Sequence, residues 1–378
     1  MPENRREEFK SLLQNLGESL DISETQYEEA TKHYEAVGSW LNAKGSPIAA
    51  FVPTIYPQGS FRLGTVTKPV NEADEYDLDL TCELKALRKE DVTQSQLKSH
   101  VGDRLRANET YKKMLEECVR CWRLHYADSV RFHMDVLPAI SDLGAGNGAG
   151  RIAGAILIPD KDLHAWQYSN PIGYAEWFKG RMKVRREAAL VRLAEALRVK
   201  VEDVPDYKIK TPLQRAVQIL KRHRDVMFKD DQDDRPISVI ITTLAGHAYN
   251  NEADILEALE RIIAGMPRFI EVRNGVAWVP NPVHPEENFA DRWRTHPQRA
   301  IKFNRWLAQI RVDLEAALRG DVDEMVAGLE PRFGEKIVRE AAARTFPSKA
   351  GAGRVSVVAA APAAREVRIT SPSKPWGV

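Results

Sequence analysis

A chain of 378 residues, 43% hydrophobic and 29% charged with a net charge of +1, is long enough for two domains and lacks the sequence-wide basic excess that advertises nucleic acid. No apolar run approaches the roughly 18 residues that cross a bilayer, and Met1 to Glu8 lacks the apolar core of a signal peptide, so a cytoplasmic protein with no membrane partner is expected. Among its three cysteines, Cys82, Cys118 and Cys121, one CxxC supplies two of the four ligands a structural zinc needs, so buried, reduced thiols are expected.

Residues 6 to 43 read as two helices, the second from about Ser23 with Glu24, Glu28 and Glu29 in its early turns, ending near Gly45-Ser46-Pro47. Residues 48 to 58 lean towards β structure, and a short helix opens after them with Ser60 near its N-cap. A polar loop, Pro69 to Glu75, leads to a strand from Tyr76 to Leu84. Residues 94 to 107 are helical in pattern. Val119 to Tyr126 and Ser129 to Leu137 read as paired strands with Asp128 at the turn. Gly144 to Gly150 is glycine-rich but lacks the Gly-Lys-Ser/Thr ending of a phosphate loop; it is expected as a flexible hairpin into a strand from Ile152 to Ile158.

From about Met182 the pattern is helical. Arg181, Lys183, Arg185, Arg186, Arg192 and Arg198 bracket an apolar stripe and are expected on a solvated face. Thr211-Pro212 is a strong helix start; that helix carries Leu213, Val217 and Leu220 on one stripe, with Lys221, Arg222 and Arg224 beside it. Pro236 to Ala248, apolar all round, predicts a buried helix. Asn274-Gly275 predicts a hairpin turn within Phe269 to Val279. After Phe346 the composition turns Ala/Gly/Val-rich and ends in Thr370 to Val378, as in a mobile tail. The expected division is 1–180, 181–346 and a flexible tail, 347–378.

The chemistry concentrates early. Asp77 and Asp79, two residues apart in a strand, share one face, and Asp135, in another strand-like run, joins them if those strands are neighbours. Three converging carboxylates repel unless cations lie between them, and such oxygen ligands suit Mg²⁺. Gly59 and Ser60 just upstream offer a close-approach backbone and a hydroxyl for a nucleotide's phosphates. These pieces predict two-metal nucleotidyl transfer.

Gln58-Gly59-Ser60-Phe61-Arg62-Leu63-Gly64-Thr65, then Asp77-Leu78-Asp79 and Asp135, resembles the DNA-polymerase-β-type nucleotidyltransferase signature. Its closest form is in the bacterial cGAS/DncV-like nucleotidyltransferases (CD-NTases). Lys221, Ser238, Asn281-Pro282 and Glu287 to Trp293 extend the resemblance over roughly residues 10 to 320. It implies an α+β fold, a polymerase-β-like nucleotidyltransferase palm (mixed sheet with helices) plus a C-terminal helical domain, with the active site in the cleft between. It further implies that Asp77 and Asp79 hold two Mg²⁺ ions (Mn²⁺ substituting), and that Asp135 completes the site of the ion at the attacking hydroxyl. Gln58, Gly59, Ser60, Lys221 and Ser238 become nucleotide contacts. Asn281 to Trp293 is expected only to pack the C-terminal domain on the core, with Trp293 buried.

The implied activity is synthesis of a cyclic di- or trinucleotide second messenger from NTPs, ATP among them, in anti-phage (CBASS) defence. A regulatory partner, of HORMA type or a ubiquitin-like conjugation machinery acting on the C-terminus, accompanies it. The lone CxxC and near-zero charge do not fit a double-stranded DNA clamp. The alternatives are another two-metal nucleotidyltransferase, acting on RNA or protein, and a catalytically silent nucleotide-sensing scaffold.

Overall fold

The computed structural model describes residues 3–71, 75–126, 132–146, 152–160, 166–201 and 206–347. The expected turn at Asp128, most of the glycine run and the tail from 348 lie outside them. The chain opens with α1, Glu3–Ser19, and α2, Glu24–Leu41, the latter started by a capping box in which Ser23 and Gln26 satisfy each other's backbone N–H groups. Strand β1, Pro53–Gln58, runs straight into the single-turn helix α3, Gly59–Leu63. The N-cap position falls on Gln58 rather than near Ser60, because Gly59 turns the chain with a φ of +61° that a side chain resists.

Strand β2, Tyr76–Leu84, has the expected bounds. Next come α4, Gln94–Arg106, α5, Glu109–Met114, and strands β3, Leu115–Glu117, β4, Trp122–Tyr126, β5, Phe132–Ser141, β6, Ile156–Ile158, and β7, Gln167–Ser169. The seven strands form one mixed sheet along β1-β2-β5-β4-β3, with β6 on β5 and β7 on β6. β2 and β5 are parallel and the remaining pairs antiparallel. Helices α2 and α4 cover one face, burying Leu78, Leu80, Leu97, Val101, Phe132 and Met134 in a common core.

Helical structure begins at α6, Pro171–Arg181, earlier than the sequence pattern suggested. The signal was present: Asn170 accepts from the Gly173 N–H at 2.9 Å and Pro171 takes the first turn, the same cap-plus-proline start as at Thr211-Pro212. Then follow α7, Lys183–Leu197, α8, Pro212–Met227, α9, Ser238–Ala248, and α10, Ile255–Gly265. Two small hairpins, β8/β9 (Glu271–Arg273, Val276–Trp278) and β10/β11 (Pro280–Asn281, His284–Asn288), precede α11, Gln298–Arg319, α12, Val322–Phe333, and α13, Glu335–Thr345. Asn274 and Gly275 both take positive φ, as the two-residue turn demands.

Arg181 and Arg185 are half-buried rather than solvated. They donate to Gly246 O in the last turn of α9, where helix carbonyls have no intrahelical donor, and to Tyr249 O and Asn251 O just past it.

Helix α1, grouped by position with the first 180 residues, packs into the helical half. Phe9, Leu12, Leu13, Leu16 and Leu20 are fully buried with residues of α8 to α13, and at roughly 1.5–3 kcal/mol per large apolar side chain this decides where the helix sits. No helix among the described residues is long and apolar enough to cross a membrane; Cys82, Cys118 and Cys121 are free thiols, of which Cys82 is buried as expected while Cys118 and Cys121 are only half-buried.

The packing of α4 on the sheet sets up a conflict between propensity and space. Ala is favoured over Gly within a helix by about 1 kcal/mol, yet a Cβ on Gly102 would sit 2.3 Å from the Trp122 ring. That indole is fixed by its bond to Lys98 O at 2.8 Å. Gly102→Ala is therefore expected to lower stability by about 1–2 kcal/mol, overpacking outweighing propensity, read as a lower urea midpoint by tryptophan fluorescence.

Candidate active site

Register puts the acidic residues in line. Asp79 on β2 faces Gln58 across β1 and Asp135 across β5; Asp135 in turn faces Arg123 on β4, which faces Glu116 on β3. A second row, two residues away and on the same face, runs Asp77, His133, His125.

Because Gln58 ends β1 opposite Asp79, the Gly59 backbone lies against that carboxylate. A Cβ at Gly59 would fall 2.0 Å from Asp79 Oδ2. Both this approach and its positive φ restrict the position to glycine. Gln58, Gly59, Ser60, Asp77 and Asp79 line one side of a cleft of about 1100 Å³. Asp135 does not line it. Arg123 takes its carboxylate bidentately, Nε to Oδ1 at 2.7 Å and Nη2 to Oδ2 at 2.8 Å.

The charges are unequally compensated. Burial by itself would raise the Asp77 carboxyl, but the His133 imidazole, paired through Nε2 with Asp77 Oδ1, holds it below the ordinary range. His133 is backed by Glu75, Nδ1 to Oε2 at 3.2 Å. Asp79 has no such partner. Burial first, then the charges of Asp77 and Asp135, push it up to about 7. Among the described residues no three His, Cys, Asp or Glu side chains are gathered closely enough to cage an ion, the outer two aspartates being turned towards Arg123 and His133. The donor set nevertheless fits divalent cations arriving with a triphosphate. Such ions are held by one or two carboxylates plus phosphate oxygens, and a cation beside Asp79 would relieve the burial and like-charge repulsion that push its carboxyl up.

The opposite side of the cleft comes from α8 and α9. Helix α8 is buried on nearly every side although rich in polar residues, because its side chains meet a row of backbone carbonyls. Gln214 donates to Leu63 O (3.0 Å), Lys221 to Thr65 O (3.0 Å), Gln218 to Val66 O (2.7 Å) and Arg222 to Lys68 O (3.1 Å); Lys210, just ahead of the helix, donates to Gly64 O (2.7 Å). The segment following the Gly-Ser turn is thus pinned carbonyl by carbonyl. Of the cations Lys221, Arg222 and Arg224, Lys221 lines the cleft, and burial followed by Arg224 pushes its ammonium down to about 8. Ser238 opens α9 in the same cleft, its Oγ accepting from Arg224 at 3.1 Å.

The far wall corrects one expectation. Asn281, Glu286 to Phe289 and Asp291 to Arg294 do more than pack: they line the cleft, and Trp293 is also buried as expected. Asn281 donates to Glu287 Oε2 at 2.7 Å, and burial pushes the Glu287 carboxyl up to about 8. His133 and Arg123, which govern the aspartates, are invisible as site residues until strand register is known. The two-residue spacing of His133 and Asp135 was the available signal.

Residues 4–181 match the family model of the Second Messenger Oligonucleotide or Dinucleotide Synthetase domain. The chain is 32% identical over 297 residues to a c-di-GMP synthase of Roseivirga ehrenbergii, covering 78% of this chain and 76% of that one. It is 29% identical to the cyclic dinucleotide synthase CdnG of Bradyrhizobium diazoefficiens over 87% of this chain and 81% of the relative. The structure of that CdnG in complex with GTP superposes with a TM-score of 0.72 and 25% identity, over 89% of this chain and 98% of the other. The E. coli CdnC:HORMA complex shares the fold, with a TM-score of 0.62 and 13% identity over 86% and 96% of the two chains. The chain belongs to the CD-NTase family of second messenger nucleotidyltransferases, and the expected α+β architecture is the one observed.

Gly59→Ala is expected to cut turnover at least about a hundredfold, since the new methyl group displaces the Asp79 carboxylate and strains the turn, with the melting temperature of the helical half little changed. Lys221 carries its charge below about pH 8 and loses it above, so kcat/KM for the triphosphate is expected to fall above that pH. Lys221→Arg, charged throughout, is expected to extend the plateau upward.

Proposed function

We propose that this chain joins two nucleoside triphosphates, at least one of them GTP, into a cyclic dinucleotide second messenger of anti-phage (CBASS) defence. The observation that carries the reading is the meeting, in one cleft, of the Gly59–Ser60 turn, the Asp77/Asp79 pair and Lys221. Guanine as a base is supported by the relatives, one a c-di-GMP synthase and one solved with GTP.

In this reading Asp77 and Asp79 would hold Mg²⁺, with Mn²⁺ as substitute, and Asp135 would complete the ion site at the attacking hydroxyl. Bound there, the ions lower the hydroxyl's pKa and neutralise charge on the triphosphate and the departing pyrophosphate. The chain's own part is positioning and charge. Ser60 Oγ and the N–H groups after Gly59 orient the β- and γ-phosphates, Lys221 and Ser238 meet them from the helical side, and Gln58 borders the donor nucleotide. Lys221 exchanges its Thr65 carbonyl for phosphate oxygens, a stronger, charge-assisted bond. The catalytic contribution is then the fixed orientation of two substrates in a desolvated cleft, as in other phosphoryl transfers. The first product is linear and must turn round for the second bond to close the ring.

The test is incubation of the purified chain with labelled NTPs, singly and together, with Mg²⁺ or Mn²⁺, followed by phosphatase and mass spectrometry. A phosphatase-resistant cyclic product containing guanine is expected, lost on chelation and reduced at least about a thousandfold in Asp77→Asn/Asp79→Asn. Label on RNA or protein instead would replace this reading with macromolecular nucleotidyl transfer. Silence that persists after adding a HORMA-type protein, the kind of partner solved with CdnC, would favour the silent scaffold.

A further inference from the structure

Asp135 is the one acidic residue of the triad that does not face the cleft, and both its oxygens are taken by a side chain with no part in substrate contact. Arg123 stands directly opposite it on β4 and grips it with a planar fork at 2.7 and 2.8 Å. The pair is largely enclosed, the side chains being 30% and 17% exposed. On its other side Asp135 adjoins Asp79, in register on β2. Without a cation these two carboxylates on adjacent strands repel, and without the Arg123 fork Asp135 would be free to rotate away from Asp79. A guanidinium suits this place. It stays charged at every working pH, and the fork fixes the plane of the carboxylate while using one lone pair on each oxygen, leaving the other free.

We propose that Arg123 is a positioning residue, holding the Asp135 carboxylate in the plane from which it completes the ion site at the attacking hydroxyl, with no effect on the donor triphosphate. The inference rests on the two-metal reading above. It assigns Arg123 to one ion only, because its two hydrogen bonds fall on Asp135, while Asp77 is held by His133.

The full-length chain with Arg123→Gln and Arg123→Lys is titrated with Mn²⁺ in the presence of a non-hydrolysable GTP analogue, following bound Mn²⁺ by electron paramagnetic resonance and analogue affinity by fluorescence. Wild type is expected to take up two Mn²⁺. Arg123→Gln should bind the analogue and the first Mn²⁺ as wild type does, within about threefold, and the second at least about tenfold more weakly, in line with the effect of removing the support of a metal ligand. Arg123→Lys should fall between. In turnover, Arg123→Gln should lower kcat with KM unchanged and recover at high Mn²⁺, and Asp135→Asn/Arg123→Gln should be no worse than Asp135→Asn alone.

Unchanged binding of the second ion would overturn the proposal. So would tighter binding, which would make Arg123 a competitor of the metal, and so would parallel loss of analogue binding and melting temperature in both variants, which would make the pair purely structural. Uptake of fewer than two Mn²⁺ by wild type, or product that survives chelation, would instead overturn the two-metal reading itself.

Discussion

Like charge on neighbouring strands is the constraint around which this molecule is arranged. Pairing β2 with β5 in parallel puts Asp79 beside Asp135, and the pleat puts Asp77 on the same face two residues along. Sheet geometry offers no escape, since moving one carboxylate to the other face requires a one-residue slip that would also turn Leu78, Leu80, Met134 and Val136 out of the core. The charge must be met where it stands. Arg123 and His133 meet it at the two ends, and the middle carboxylate, Asp79, has no such partner among the described residues. A protein seeking only stability would have put an apolar or hydroxyl side chain there. The destabilisation is local and is tolerated because the apolar core beneath the strands holds their register.

The second half of the site depends on a different interaction. Buried Lys, Arg and Gln side chains on α8 are costly unless each finds a partner, and a run of carbonyls from Leu63 to Lys68 supplies them. All but Leu63, the last residue of α3, belong to a stretch that lies outside the described strands and helices. Each side therefore solves the other's hydrogen-bonding problem. The Gly-Ser turn is located by the helical half as much as by the sheet that leads into it. Gln218 extends the same join to α1 and its exit, donating also to Asp21 Oδ1 while Arg215 reaches Gly17 O.

What the sequence revealed follows from the range of each signal. β2, α4 and the capped start of α8 were legible because alternation, amphipathic period and cap residues are properties of a few consecutive positions. Asp77, Asp79, Gly59 and Ser60 were legible for the same reason, lying within one hairpin of chain. Arg123 and His133 were not, because their partnership with the aspartates exists only through register across β4 and β5. Nor was the place of α1, whose apolar stripe says that it is buried but not against what. The helix at Pro171 was a readable signal passed over: Asn-Pro there carries the same information as Thr-Pro at 211. For the segment from Asn281 to Trp293, the burial of Trp293 was legible. Its second role as cleft wall depends on how a small hairpin is carried by the helices behind it.

The docking of α1 has a consequence for biogenesis. Of the described elements it is the first to emerge, yet the surfaces that cover Phe9, Leu12, Leu13, Leu16 and Leu20 come from α8 onward, and α13, which flanks it through the Asn15–Thr345 hydrogen bond at 2.9 Å, is the last. On the ribosome the sheet and its helices can complete themselves while α1 waits with its apolar stripe uncovered. A nascent chain that stalls before α13 therefore presents a finished sheet beside an apolar helix left partly uncovered.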